Sequence, residues 1–215
     1  MFKGKYLSIL GDSVSTYRGI SDAQLTNYTI RKNKYHYEMP FLSCNTYWGI
    51  LLRELEMELC VNNSHSGGLL CGKDDPTSGL NRAGELSNNA GVDPDYIIVF
   101  LGINDYGYYI GVDEFFADYE KTLAIIKEKY PRARVCCVNL PRRSMRSPDP
   151  AVEYNNAIAR AVKGAGEGYF VADFYGSEMS GDNFFANTHD DLHPNENGMR
   201  LIADFIIKSF KENVK

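Results

Sequence analysis

The chain has 215 residues, 44% of them apolar and 24% charged, and a formal net charge of −5. That length favours one domain spanning 1–215, in which roughly 70–75% of the unfolded surface can be buried without help from disulfides or metal. The acidic balance gives no electrostatic footprint for a nucleic-acid partner, and no apolar run reads as a membrane span or signal peptide, so a cytoplasmic protein with no membrane partner is expected.

The first strand is expected at 5–10, where Tyr6-Leu7-Ser8-Ile9-Leu10 forms the first apolar run. Residues 17–45 then form a long aromatic and polar insertion containing Tyr17, Tyr28, Tyr35, Tyr37 and Phe41. A loop of that length is usually functional or disordered. Its aromatics suit an ordered lid or pocket wall, and equally a loop packed on the surface. A helix near 46–56 leads to a strand at 57–62, and a second helix is expected near 79–88.

Ile97-Ile98-Val99-Phe100 is continuously apolar, as a strand covered on both faces should be, and marks a strand at 96–101. In 113–130, Phe116, Tyr119, Leu123, Ile126 and Tyr130 recur at helical spacing behind an N-cap candidate, Asp113. Val135-Cys136-Cys137-Val138 marks a fourth strand at 134–139. A helix over 151–163 stops at Gly164, and a strand at 168–173 follows. The last helix, 196–212, carries the stripe Met199, Ile202, Phe205, Ile206 and Phe210. Strands alternating with helices imply a three-layer α/β/α domain on a parallel sheet with right-handed crossovers.

The five cysteines, Cys44, Cys60, Cys71, Cys136 and Cys137, are odd in number and match no zinc spacing. Cys136 and Cys137 are neighbours in a strand and should face opposite ways, which makes them poor disulfide partners. Buried free thiols in a reducing compartment are the simplest reading.

In an open α/β sheet, ligands bind at the carboxyl ends of the strands, where strand order reverses. After the first strand comes Gly11-Asp12-Ser13. After the second comes Asn62-Asn63-Ser64-His65-Ser66-Gly67-Gly68, and after the third Gly102-Ile103-Asn104-Asp105. About 20 residues of loop beyond the fifth strand comes Asp190-Asp191-Leu192-His193-Pro194. A serine hydroxyl is a weak nucleophile and needs an adjacent base. His193 can be that base for Ser13. Asp190 can reach the other ring nitrogen, fix the tautomer and stabilise the imidazolium, and Pro194 restricts the His193 backbone. Acyl transfer also places negative charge on a former carbonyl oxygen, where each preorganised donor is worth roughly 3–4 kcal/mol. The backbone N–H groups of Ser13 and Gly67 and the Asn104 amide are the candidates. Asp12 and Asp105 are read as partners of nearby loop backbone, not as acids.

Together these four segments resemble the SGNH (GDSL-type) hydrolases, a family of esterases and acylhydrolases, in order and across residues 11–194. The resemblance implies Ser13 as nucleophile, His193 as base, Asp190 as its orienter, and Ser13, Gly67 and Asn104 as the oxyanion hole. It also implies a flavodoxin-like five-stranded sheet of order 2-1-3-4-5. Asp191 stands where the family often has glycine, and the consecutive Gly67 and Gly68 leave the oxyanion position open by one residue. The expected activity is cleavage of a carboxylic ester through an acyl-enzyme, with no metal or organic cofactor. A short-chain, acetyl ester is favoured, on a carbohydrate, with a lysophospholipid or thioester as the nearest alternative.

Other readings compete with each part. Gly11-Asp12-Ser13 alone suits any turn, or an anion loop of a phosphate-binding flavodoxin-like module. A non-catalytic binding protein could keep the fold. His189 and His193 could form a metal pair, but no third ligand cluster accompanies them. His65 reads as a turn residue and His36 as a surface residue. Arg142, Arg143 and Arg146 could hold a substrate carboxylate or phosphate, or simply form a solvated loop. Tyr106, Tyr108, Tyr109 and Trp48, with the tyrosines of the insertion, could stack on sugar rings or serve packing.

Overall fold

The structure is a computed structural model, and it describes residues 1–16, 42–142 and 149–214. Five parallel strands form one sheet in the order β2-β1-β3-β4-β5: β1 (Tyr6–Gly11), β2 (Glu58–Ser64), β3 (Tyr96–Phe100), β4 (Arg134–Val138) and β5 (Tyr169–Ala172). The order is the one the family resemblance implies, and the parallel direction is the one the strand–helix alternation implies. Strand order reverses between β1 and β3, which pair from Leu7↔Tyr96 to Gly11↔Phe100. The loops after Gly11 and Phe100 therefore start side by side.

The continuous apolar runs of β3 and β4 are explained by helices on both faces. Tyr96, Ile98 and Phe100 point into one core, which also holds Tyr47, Leu51, Met199, Ile202 and Phe210. These come from α1 (Tyr47–Leu55) and α7 (Glu196–Asn213). Ile97 and Val99 point into the other, with Leu123, Ile126, Ala157 and Ile158, from α4 (Val112–Lys129) and α5 (Ala151–Ala165). Cys136 lies in the first core and Cys137 in the second, so the two neighbouring thiols face opposite ways. All five cysteines are unbridged, four of them buried and Cys44 exposed.

Several boundaries differ from expectation. The helix expected over 79–88 is the single turn α2 (Gly79–Arg82). The N-cap of α4 is Gly111. Asp113 instead sits in the first turn, where a carboxylate favours the positive end of the helix dipole. Helix α5 runs past Gly164 to Ala165 and stops at Gly166, whose φ of 89° ends it. Two short helices were not foreseen: α3 (Ile103–Gly107) and α6 (Asp182–Ala186). The second interrupts the stretch expected to be plain loop before Asp190.

The aromatic insertion expected at 17–45 lies outside the described residues over 17–41. Within 42–45, Ser43–Asn45 forms a 3₁₀ turn leading into α1. Residues 143–148, with Arg143 and Arg146, also lie outside. Among the described residues, no helix is long and apolar enough to cross a membrane.

Candidate active site

The chain leaves β1 at Gly11 and turns at once into a 3₁₀ turn, Ser13–Ser15. Only glycine fits before it. A Cβ on residue 11 would stand 2.5 Å from Ser15 Oγ and 2.8 Å from Ser64 Oγ. Asp12 caps the turn, its Oδ1 accepting from Val14 N–H at 3.0 Å. The far side is held by buried polar groups. The Ser15 carbonyl accepts from Trp48 Nε1 at 2.9 Å and Asn62 Nδ2 at 2.8 Å. Ser15 Oγ pairs with the Tyr47 hydroxyl at 2.7 Å, and Thr16 Oγ1 donates to the Ser13 carbonyl at 2.8 Å. Ser13 is thus presented by a turn whose backbone is fixed on both sides. Trp48, considered as part of a sugar platform, is 2% exposed and works as a donor behind the nucleophile turn.

A second tight loop brings the histidine. Asn187 to Asn195 closes on itself through an antiparallel bridge between Thr188 and Pro194. His189 N–H donates to the His193 carbonyl at 2.8 Å, and Asn195 N–H to the Asn187 carbonyl at 2.9 Å. Asn195 is also the N-cap of α7, accepting from Gly198 N–H at 3.0 Å. The loop is therefore an extension of a long, well-packed helix.

His193 Nε2 lies 2.9 Å from Ser13 Oγ, and His193 Nδ1 lies 2.8 Å from Asp190 Oδ2. The other Asp190 oxygen accepts from His193 N–H at 2.7 Å and Leu192 N–H at 3.2 Å. The carboxylate thus fixes both the ring and the backbone that carries it. Burial opposes ionisation of Asp190, but the hydrogen bonds and charge of His193 outweigh it and hold the carboxyl below its usual range. Asp191 adopts φ 62°, the left-handed region. That accounts physically for glycine being frequent there, and the Asp191 side chain itself is exposed.

Asn104 sits in the first turn of α3, just after Gly102, whose φ is 122°. A Cβ on Gly102 would also meet Phe115 at 3.0 Å. Asn104 Nδ2 donates to the Gly68 carbonyl at 3.0 Å, so the amide touches the glycine loop directly. The two elements are tied again one residue later. Asp105 accepts from Leu70 N–H at 2.8 Å and Cys71 N–H at 3.0 Å. Asp12 and Asp105 both serve loop backbone, as their positions suggested. Burial raises both carboxyls, that of Asp12 to about 7.

The two glycines of the loop differ. Gly68 N–H is spent on the His65 carbonyl at 2.9 Å, while Gly67, at φ 73°, is exposed. Among the described residues, neither the Gly67 nor the Ser13 N–H donates to another backbone group.

The remaining candidates sit apart from these contacts. The Tyr106 ring packs edge-on against Tyr154 at 5.7 Å, in the core beside α4 and α5. Tyr108 and Tyr109 are exposed. Arg142 is exposed, with its backbone bonded to Ser180 Oγ and Gly181 N–H, and Arg143 is outside the described residues. His65 Nδ1 turns back on the Ser66 carbonyl at 2.9 Å. Among the described residues, no group of three or more His, Cys, Asp or Glu could hold a metal.

A buried cation lies behind these loops. Arg82 is 5% exposed. Its Nε donates to the Thr77 carbonyl at 2.8 Å, Nη1 to the Asn63 carbonyl, and Nη2 to the Gly11 carbonyl at 3.1 Å. Nothing in the local pattern distinguishes it from a surface arginine.

No curated protein sequence matched the chain. Among solved structures, one from Lactobacillus plantarum matches with a TM-score of 0.74 at 18% identity, covering 100% of both chains. The carbohydrate esterase family 2 enzyme of Corynascus thermopiles (Myceliophthora fergusii), which carries a carbohydrate binding domain, matches with a TM-score of 0.70 at 19% identity, over 100% of this chain and 68% of the other. The psychrotrophic esterase EstA of a Pseudoalteromonas species matches with a TM-score of 0.64 at 16% identity, over 97% of each chain. At these identities the likeness is one of fold. The sequence profile of the GDSL-like Lipase/Acylhydrolase family, however, matches residues 9–201, which span Ser13, the glycine loop, Asn104, Asp190 and His193, and the chain belongs to that family of ester hydrolases.

Proposed function

We propose that the protein is a serine esterase that cleaves a short-chain carboxylic ester through an acyl-enzyme. The carrying observation is the chain of contacts Ser13 Oγ to His193 Nε2, at 2.9 Å, and His193 Nδ1 to Asp190 Oδ2, at 2.8 Å. Ser13 Oγ attacks the ester carbonyl carbon and its proton passes to Nε2, while Asp190 holds the Nδ1 proton and the imidazolium charge. The former carbonyl oxygen takes the negative charge and is met by Ser13 N–H, Gly67 N–H and the Asn104 amide. On collapse the ester C–O bond breaks, and the leaving alkoxide takes the proton from Nε2. Water, activated by the same nitrogen, then hydrolyses the acyl-serine. Gly67 is preferred to Gly68 as donor because the Gly68 N–H is already bonded to His65.

An acetyl ester on a carbohydrate is the favoured substrate. Its support is the aromatic character of 17–45 and a shared fold with carbohydrate esterases of family two. Purified protein should hydrolyse p-nitrophenyl acetate, and Ser13→Ala should abolish turnover. Undiminished turnover in Ser13→Ala, or a fluorophosphonate label recovered on another serine, would overturn the assignment. Comparison of kcat/KM across acetylated sugars, lysophospholipids and acyl thioesters separates the substrate classes. A clear preference for either of the latter two would replace the acetyl-ester reading.

A further inference from the structure

The geometry points to Arg82 as a positioning residue for ester cleavage: its buried guanidinium locks the nucleophile turn to the glycine loop, so that the Ser13 and Gly67 N–H groups converge on one oxyanion. The inference rests on the serine-esterase reading above.

Each nitrogen of the guanidinium donates to a backbone carbonyl at a strategic place. Gly11, which accepts from Nη2 at 3.1 Å, is the last residue before Asp12-Ser13. Asn63, which accepts from Nη1, is near the end of β2, just ahead of the loop carrying Gly67. Thr77, which accepts from Nε at 2.8 Å, anchors the arginine to its own approach segment. Nη2 also lies close beside the loop, since a Cβ on Gly68 would stand only 3.1 Å from it. A planar fork with fixed donor directions can span three divergent carbonyls, which a lysine ammonium on a flexible stem cannot reproduce.

The residue is itself held firmly, although α2 is a single turn. Ser78 caps it, and Gly79 and Leu80 N–H groups donate to the Leu69 and Leu70 carbonyls at 2.7 and 3.0 Å. Leu70 is in turn bonded through its N–H to Asp105, beside Asn104. All three proposed oxyanion donors are thereby linked through α2. Burying a cation is costly, and a packing role alone would be filled more cheaply by an apolar side chain.

Misplacement of reacting groups by about 1 Å can cost about 10²-fold in rate, and an oxyanion donor acts on the transition state more than on bound substrate. Arg82→Lys should therefore lower kcat for p-nitrophenyl acetate about 10- to 100-fold with KM within about twofold. Phosphorylation of Ser13 by diethyl p-nitrophenyl phosphate should slow in proportion. Arg82→Ala should lose as much and regain part of its kcat with added methylguanidinium. Val162→Ala, in the core under α5, lowers Tm without touching these contacts and should leave kcat unchanged. Gly68→Ala, whose Cβ would stand 2.9 Å from the His65 carbonyl as well as 3.1 Å from Nη2, displaces the same loop and should repeat the fall in kcat with the Arg82 side chain intact. Full kcat in folded Arg82→Lys, or in Gly68→Ala should neither arginine variant fold, overturns the inference, as does equal loss in Val162→Ala. Activity surviving in Ser13→Ala would instead remove the serine-esterase reading itself.

Discussion

Asp12 lies between the glycine and the serine of the nucleophile turn, and its carboxyl is 1% exposed. One oxygen accepts from Val14 N–H, and the other has no hydrogen-bond partner among the described residues. Two charges act on it besides burial: Arg82 favours its ionisation and Asp105 opposes it. Burial is the largest effect and lifts the carboxyl from an ordinary 3.8 to about 7. The folded protein then holds a proton that the unfolded chain has already released, so stability falls as pH rises from about 4 to about 7. Above that window both states are ionised and the loss is complete. At about 1.4 kcal/mol for each pH unit of displacement, it amounts to about 4 kcal/mol. Asp12→Asn keeps the acceptor for Val14 and cannot ionise. Urea unfolding of both proteins from pH 4 to pH 8.5 reads this effect, because titrating groups not coupled to Asp12 cancel in the difference. The variant should gain about 4 kcal/mol relative to the parent across that range, whatever constant offset the buried amide adds. A difference that does not vary with pH would refute the assignment of the proton to Asp12. A variant that loses stability as pH rises would mean that Arg82 outweighs burial and Asp12 is the charged half of an ion pair.

Asp190→Asn should leave the Ser13–His193 contact standing but favour the wrong tautomer, lowering kcat at least about 10²-fold with little change in KM; an unchanged kcat would remove Asp190 from the mechanism. Asn104→Ala should cost about 10²- to 10³-fold in kcat if its amide meets the oxyanion. The same substitution also releases the Gly68 carbonyl, so its thermal stability should be measured with its kinetics.

The sheet was legible because its signals are carried by side chains over several residues. Ile97 to Phe100 and Val135 to Val138 are apolar at every position because alternate residues enter two different cores. Elements of one turn were not legible. Helices α3 and α6 have five residues each, too few for a 3.6-residue period to repeat, and α2 is far shorter than the 79–88 helix expected there. Helix ends failed for a related reason. Gly164 and Gly166 look alike as stop signals, and only the chain's path decides that Gly166 takes the positive φ. For α4, the backbone turns at Gly111 and leaves Asp113 inside the first turn.

The candidate site divides along the same line. Ser13, Asn104, Asp190 and His193 announce themselves because their side chains carry the chemistry and follow strand ends or a tight loop. What holds them is largely main chain: Gly11, Ser15, Asn63 and Gly68 contribute carbonyls, and a carbonyl has no residue identity. Arg82, Trp48 and Asn62 reach the carbonyls of Gly11, Asn63 and Ser15, and these roles are hidden because a main-chain acceptor cannot be seen in a sequence. The same logic explains Gly11, whose role is to let Ser15 and Ser64 approach. Any residue type placed where it donates to a strand-end carbonyl can supply this support. Identities below 20% are accordingly compatible with a shared fold over nearly the whole chain.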